Sequence, residues 1–272
     1  MLTKLLKYEF KETARIIPFL YLITMFFAVV SLVASWLDLS FIKTTSSAIL
    51  IFVGIAVFII TFVFIAIRFY RNLYSNEGYL MFTLPVKPHK LLASKIIVAF
   101  CWITASLVLF IGALLLGMYF LGVDLSELSE IRKELVRLGL EKILYAIIPA
   151  IFLAIMYFIS QIFFAITIAN LPCFHGIGVA GSFIAFIATY IALKIVETIS
   201  TIFIPISLMI NIADKTMSLS IQNMFNYFLD SIKGIEPNYI TIGVGGFIFD
   251  IIMICVLIYL TGRIMNKKVS LR

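Results

Sequence analysis

Gly176, Gly178 and Gly181 stand in the spacing G-x-G-x-x-G, and Glu197 follows about twenty residues later, as in loops that cradle a dinucleotide pyrophosphate at the start of a helix. That chemistry needs a strand before the glycines. Here they open an apolar stretch, where small residues serve a turn and close helix packing, so no cofactor is expected. No G-x-x-x-x-G-K-[ST] occurs, which excludes P-loop binding of nucleotide phosphates. The two histidines, His89 and His175, lie far apart on predicted loops, and there is no H-E-x-x-H, Cys/His cluster or G-x-S-x-G. No metal site and no catalytic residue is predicted. Cys101, Cys173 and Cys255 fall within or at the end of apolar runs, with neither metal-ligand nor disulfide spacing, and read as buried thiols.

One acid stands apart. Asp250 lies near the middle of a predicted membrane span, where an ionisable group is expensive and should face the helix bundle or a water-filled cavity. It reads as a substrate or proton site, as a hydrogen-bonded structural acid, or as a helix-end residue if the span is shifted. Lys194 and Glu197, at i, i+3, read as a local ion pair. Gln161 and Asn170 can bond across helices but are too few to define a pathway.

The elements that position these residues follow from composition. The 272 residues are 63% hydrophobic and 13% charged, and about 25% charged is usual for a soluble domain. A membrane helix needs roughly 20 apolar residues, because each rises about 1.5 Å across a core about 30 Å thick. Charge-free runs predict spans over 16–37, 44–67 and 96–123. The run 143–193 is too long for one crossing and breaks at Asn170-Leu-Pro-Cys-Phe-His-Gly176, giving spans over 143–169 and 177–193. The sixth span covers 239–261. Residues 198–213 are apolar but short and interrupted by Pro205, which suits a re-entrant or interfacial hairpin within 198–238; a tilted seventh helix is the other reading. The N-terminus is not expected to be a cleavable signal, since Glu9 and Glu12 precede the first apolar run and further spans follow.

The net charge of +7 raises nucleic acid as a partner, but its distribution excludes that reading. With the N-terminus inside, 1–15, 68–95, 170–176 and the tail from 262 hold 13 basic and 3 acidic residues. The outer segments 38–43, 124–142 and 194–238 hold 8 basic and 10 acidic residues. The excess of Lys and Arg predicts a multi-pass protein of the cell membrane with both termini cytoplasmic. Residues 2–15 form an amphipathic interfacial helix: Leu2, Leu5, Leu6 and Phe10 share one face, and Lys4, Lys7, Lys11 and Arg15 share the other, toward anionic headgroups. Glu9 falls on the apolar face, where the pattern gives it no role. Residues 124–142 read as an outer amphipathic helix with Asp124 available as its cap.

The segment 68–95 is the informative one. It reads as a cytoplasmic loop carrying a short helix that Pro85 ends. Its apolar face of Tyr79, Leu80, Phe82 and Leu84 is larger than a linker needs, and implies either headgroup burial or a docking site for a soluble partner.

The run Glu77-Gly78-Tyr79-Leu80-Met81 through Leu84-Pro85-Val86, followed by Lys95 at the start of the next span, resembles the permeases of type-2 ATP-binding-cassette (ABC) exporters. Their loop reads approximately E-x-G-[ST]-x-E-x-L-x-x-[ST]-P-[VI]; Met81 stands where a second glutamate is frequent, and Tyr79 replaces a small hydroxyl residue. The resemblance extends over the chain through the N-terminal interfacial helix, the six spans and the outer hairpin. It implies an all-α membrane protein whose segment 68–95 is a coupling helix docking into a separate ATPase chain through Glu77, Gly78, Tyr79, Leu80, Phe82 and Leu84. It further implies a second permease copy or homologue as partner, no enzymatic activity in this chain, and export of a substrate such as an antimicrobial peptide, drug or lipid. The opening Leu5-Leu-Lys-Tyr-Glu-Phe-Lys11 is similar to permeases of Gram-positive bacteria associated with resistance to peptide antibiotics. The rival expectation is a stand-alone secondary transporter or channel using Asp250; against it, no internal repeat relates 1–123 to 124–272.

Overall fold

The amphipathic N-terminal pattern closes into α1 (Leu2–Thr13), and a short turn leads into α2 (Ile17–Trp36), where Pro18 sits in the first turn and loses no intrahelical donor. The structure, a computed structural model, describes residues 2–75, 78, 87–123, 126–137, 141–171, 178–211, 216–233 and 239–267. Two long helices follow, α3 (Ser40–Tyr74) and α4 (Pro88–Leu121). Pro88 starts α4, and Gly122 ends it in the left-handed conformation, φ 79°, which a glycine adopts without steric cost. Beyond them lie α5 (Ser126–Arg137), α6 (Glu141–Ala169), α7 (Gly178–Phe203), β1 (Ser207–Asn211), β2 (Thr216–Ser220), α8 (Met224–Ile232), β3 (Tyr239–Gly243) and α9 (Gly245–Lys267).

Among the described residues six helices are long and apolar enough to cross a membrane: α2, α3, α4, most of α6 and α7, and α9 to Asn266. Their outward faces carry large apolar side chains, including Phe19, Phe52, Val108, Ile184 and Ile251. In water such a surface would be untenable; in lipid it is the required one. The chain is a mainly helical, multi-pass membrane protein.

It divides into two compact units, Met1–Ser126 with Asn170–Pro172 and Gly262–Arg272, and Glu127–Ala169 with Cys173–Thr261. In the first, α3 and α4 form an antiparallel pair whose contacts step along both helices. Gly117 faces Ile51 and Ser47, Gly54 faces Ala113, Phe110 stacks on Phe58 at 5.9 Å, and Ser106 bonds Thr61. A Cβ on Gly117 would come within 2.5 Å of Ile51, so only glycine lets the helices approach this closely. In the second, α6 packs on α7, and the end of α7 meets the turn between β3 and α9. There Gly245 lies so close to Ser200 that a Cβ would stand 2.2 Å from its carbonyl oxygen.

Several predicted boundaries change. The fifth predicted span, 177–193, is longer as a helix, because α7 continues through the uncharged residues 198–203. Pro205 then ends it, and the described residues over 198–211 become helix followed by strand β1, which pairs antiparallel with β2 within the expected hairpin region. β1 is the central strand of a three-stranded antiparallel sheet, ordered β2-β1-β3, with Leu208 opposite Leu219 and Ile242. This small sheet is set in a chain that is otherwise mainly helical, consistent with the expected all-α membrane protein. The predicted sixth span, 239–261, begins instead as β3: Ile240, Thr241 and Ile242 are β-branched, and helix starts only at Gly245. The predicted loop 68–95 is shorter than expected, since α3 runs to Tyr74 and α4 starts at Pro88.

Candidate functional site

Glu9 is on the inner face of α1, one helical turn before Thr13, and both are buried where α1 packs on α4. α4 presents Lys95, Trp102 and Ser106 in spacings of seven and four, which fall on one side of a helix. α3 contributes Thr61 and Arg68, again seven apart. These three stripes make a continuous polar seam in the first unit.

At one end of the seam, Lys95 Nζ donates to Glu9 Oε1 at 2.6 Å, and Arg68 reaches Glu9 Oε2 from Nη2 at 3.1 Å and from Nε at 3.3 Å. Arg68 also pairs with Glu12. The cluster balances two acids against two bases. The Lys95 and Glu9 side chains are 4% and 8% exposed, whereas Glu12 is 54% exposed, so the Glu9 contacts are sheltered from solvent and the Glu12 contact is not. Burial alone would push the Glu9 carboxyl up; the Lys95 ammonium and the Arg68 guanidinium outweigh it and hold it below the ordinary carboxylate range. A cavity of about 20 Å³ beside the cluster, lined in part by Glu9, Thr13, Arg68 and Lys95, has room for about one water molecule.

The seam continues as hydrogen bonds. Trp102 Nε1 donates to Thr13 Oγ1 at 2.7 Å, and the Thr13 hydroxyl donates to the Glu9 carbonyl at 2.8 Å. The Tyr21 hydroxyl lies 3.1 Å from the Trp102 carbonyl and 2.7 Å from Ser106 Oγ, which donates to Thr61 Oγ1 at 2.9 Å. Each of these groups would be costly in an apolar bundle if left alone, and here each finds a partner.

The ion cluster sits at the two roots of the segment joining α3 to α4. Arg68 is in the last turns of α3 and Lys95 in the first turns of α4, and Glu9 of α1 holds both. Of the predicted docking residues, Glu77, Tyr79, Leu80, Phe82 and Leu84 lie outside the described residues. Gly78 is buried, and its N–H donates to the Ser75 carbonyl at 2.7 Å.

In the second unit, Asp250 lies in the second turn of α9, not in mid-helix as the sequence predicted, because β3 takes the residues assigned to the start of that span. It is half-buried, and its Oδ1 has no hydrogen-bond partner among the described residues. Lys194, Glu197 and Tyr157 are within electrostatic reach. Lys194 and Glu197 form the predicted pair, at 2.6 Å. Cys101 and Cys255 are free and exposed, which corrects their reading as buried thiols: apolar runs place them on surfaces suited to lipid. Cys173 and His175 lie outside the described residues, and His89 is on the first turn of α4 and not on a loop. No metal-binding cluster occurs among the described residues. The described residues ahead of Gly178 are helical to Ala169, and Gly176 of the G-x-G-x-x-G spacing lies outside the described residues.

No protein-family model, curated protein or solved structure matches the chain.

Proposed function

We propose that the chain is the permease subunit of an ABC exporter, pairing with a second permease and with separate ATPase chains, both termini on the cytoplasmic side of the cell membrane. The observation that carries this reading is the length of the α3–α4 pair. Their 35 and 34 residues extend about 50 Å, against a hydrocarbon core of about 30 Å. The surplus projects from one side of the membrane as a helical stalk whose tip is the segment with the E-x-x-L and L-P-V resemblance. Glu9 ties both roots of that tip to α1, so a force applied at the tip reaches the spans through a braced lever and not a floppy loop. ATP binding would close the ATPases, and differential contact with the tip in the two nucleotide states would shift the spans between inward and outward forms. Glu77, Gly78, Tyr79, Leu80, Phe82 and Leu84 are the proposed contacts. The permease contributes shape and docking, and bond-making belongs to the partner.

The test is co-purification of a soluble ATPase with the tagged chain from its native membrane, before and after the double change Glu77→Ala, Tyr79→Ala. Loss of the ATPase is expected. Retained association together with ATP-dependent transport would sink the docking assignment.

The buried, unpartnered Oδ1 of Asp250 favours a second reading, a stand-alone transporter coupled through that acid. Gradient-driven transport by the purified chain alone, abolished in Asp250→Asn, would replace the first reading with this one.

A further inference from the structure

α7 stops where its carbonyls lose their donors. The N–H that would close on the Thr201 carbonyl belongs to position 205, and Pro205 has none. The Ile206 N–H, due to the Ile202 carbonyl, turns instead to the Ile204 carbonyl at 2.8 Å. The Ser200 carbonyl keeps a partner, the Ile204 N–H at 3.1 Å. The freed Thr201 carbonyl oxygen lies against Gly243 of β3, so close that no side chain fits there.

That contact identifies the face of the sheet that meets the end of α7. Thr241 precedes Gly243 by two residues on β3, and Ser207 of β1 lies directly opposite Gly243, so all three present one face. Directly opposed positions stand about 5 Å apart, so Ser207 flanks the Thr201 carbonyl, and Thr241 flanks it from the next position of that face. Both side chains are deeply buried, Ser207 at 0% and Thr241 at 4% exposure. Neither hydroxyl has a hydrogen-bond partner among the described residues. A helix carbonyl and two hydroxyls thus share one sheltered place.

We infer that this junction binds a sodium ion, held by the Thr201 carbonyl and the Ser207 and Thr241 hydroxyls, with water completing its shell. The donors are hard, uncharged oxygens, and one of them ends a membrane helix, where the macrodipole is negative and favours a cation. The charge balance selects a monovalent ion. Divalent cations draw on carboxylates, and Glu197, the one acid of α7, is paired with Lys194 at 2.6 Å. The ion would clamp the end of α7 to the start of α9. Gly245 and Gly246 continue the same contact, Gly245 against the Ser200 carbonyl and Gly246 against the Thr201 hydroxyl. The inference holds whether or not the chain docks an ATPase.

The experiment uses the full chain in lipid nanodiscs and measures binding of radioactive sodium by scintillation proximity, with choline chloride holding the ionic strength constant. Saturable binding, displaced by unlabelled sodium and not by choline, is expected. The melting temperature should rise with sodium and not with choline, as a ligand of the folded state requires. Ser207→Ala with Thr241→Val removes two of the three protein oxygens at nearly constant shape, and should weaken sodium binding about tenfold or more. Where that variant fails to fold, Pro205→Ala decides, because its new N–H can close on the Thr201 carbonyl and should also weaken binding about tenfold. Absence of saturable sodium binding overturns the inference and leaves the three oxygens to ordered water. An affinity unchanged by Ser207→Ala with Thr241→Val in a folded chain, or by Pro205→Ala, overturns it as well.

Discussion

The two units treat buried polarity in opposite ways. In the first, Glu9, Arg68, Lys95, Thr13, Trp102, Tyr21, Ser106 and Thr61 form one seam in which each side chain has a partner. Among the described residues, Ser182, Ser207, Thr241 and Asp250 in the second each keep a buried oxygen without a partner, whereas in the first Thr104 does. A satisfied network in a low-dielectric bundle fixes one arrangement of helices. An unsatisfied one costs free energy that only water, a ligand or another chain can recover. The contrast assigns rigidity to the unit containing α1 to α4 and leaves the other as the one with polar capacity to spare.

The strongest way to break that comparison is Glu9→Ala. It strips Lys95 and Arg68 of their shared carboxylate, and removing one partner of a buried ion pair costs about 3–5 kcal/mol. Glu12→Ala, an exposed contact to the same Arg68, should cost under about 1 kcal/mol. Reversible unfolding in mixed detergent micelles measures both, and equal losses would mean that the cluster is not the brace described. The pH dependence sharpens the point. Because the Glu9 pKa is lowered on folding from its usual 4.5, its contribution is fully present above that value and is lost as pH falls through the lowered folded value. The stability gap between the unmutated chain and Glu9→Gln should stay flat from neutral pH down to about 5 and close below 4.5. A gap that closes between pH 7 and 5 would contradict the pairing.

Membrane character, six long helices and the α1 amphipathicity were legible in the sequence because hydropathy and 3.6-residue periodicity are local signals. The seam was not. Glu9 looked misplaced on an apolar face because its partners are 59 and 86 residues away, and no local pattern pairs an acid with bases at such separations. Part of the signal was present, since Glu9 with Thr13 and Lys95 with Trp102 and Ser106 repeat at helical spacing. The sheet was legible and missed. Thr216-Met-Ser-Leu-Ser220 alternates polar and apolar, and Tyr239-Ile-Thr-Ile-Gly243 is rich in β-branched residues. Counting uncharged residues toward a span hid the second of these, and moved Asp250 from the second turn of a helix to its middle.

A smaller effect is expected further along the seam. Trp102→Phe keeps the ring packed near Phe10 and Tyr21 but removes the indole N–H that reaches Thr13. The loss should be about 1 kcal/mol, the net worth of one part-buried hydrogen bond. Combined with Glu9→Ala it should cost less than the sum, because both changes loosen α1 from α4, and groups in one network couple. Strict additivity would show that the hydrogen bonds and the ion cluster are separate devices.

Asp250→Asn should have the smallest effect on stability, and its sign separates the units most cleanly. Glu9 is held by two bases, so neutralising it removes attraction. Asp250 has a buried oxygen with no partner and the Glu197 carboxylate within electrostatic reach, so an amide there relieves desolvation and repulsion while keeping the shape. Stability should be unchanged or rise by up to about 1 kcal/mol. A loss of several kcal/mol would mean that Asp250 is held as firmly as Glu9, and the division into a satisfied and an unsatisfied unit would fail. A neutral or positive change accompanied by lost transport would instead place the working polarity of the chain in the second unit, since a group that costs stability and is kept for activity is the mark of a functional residue.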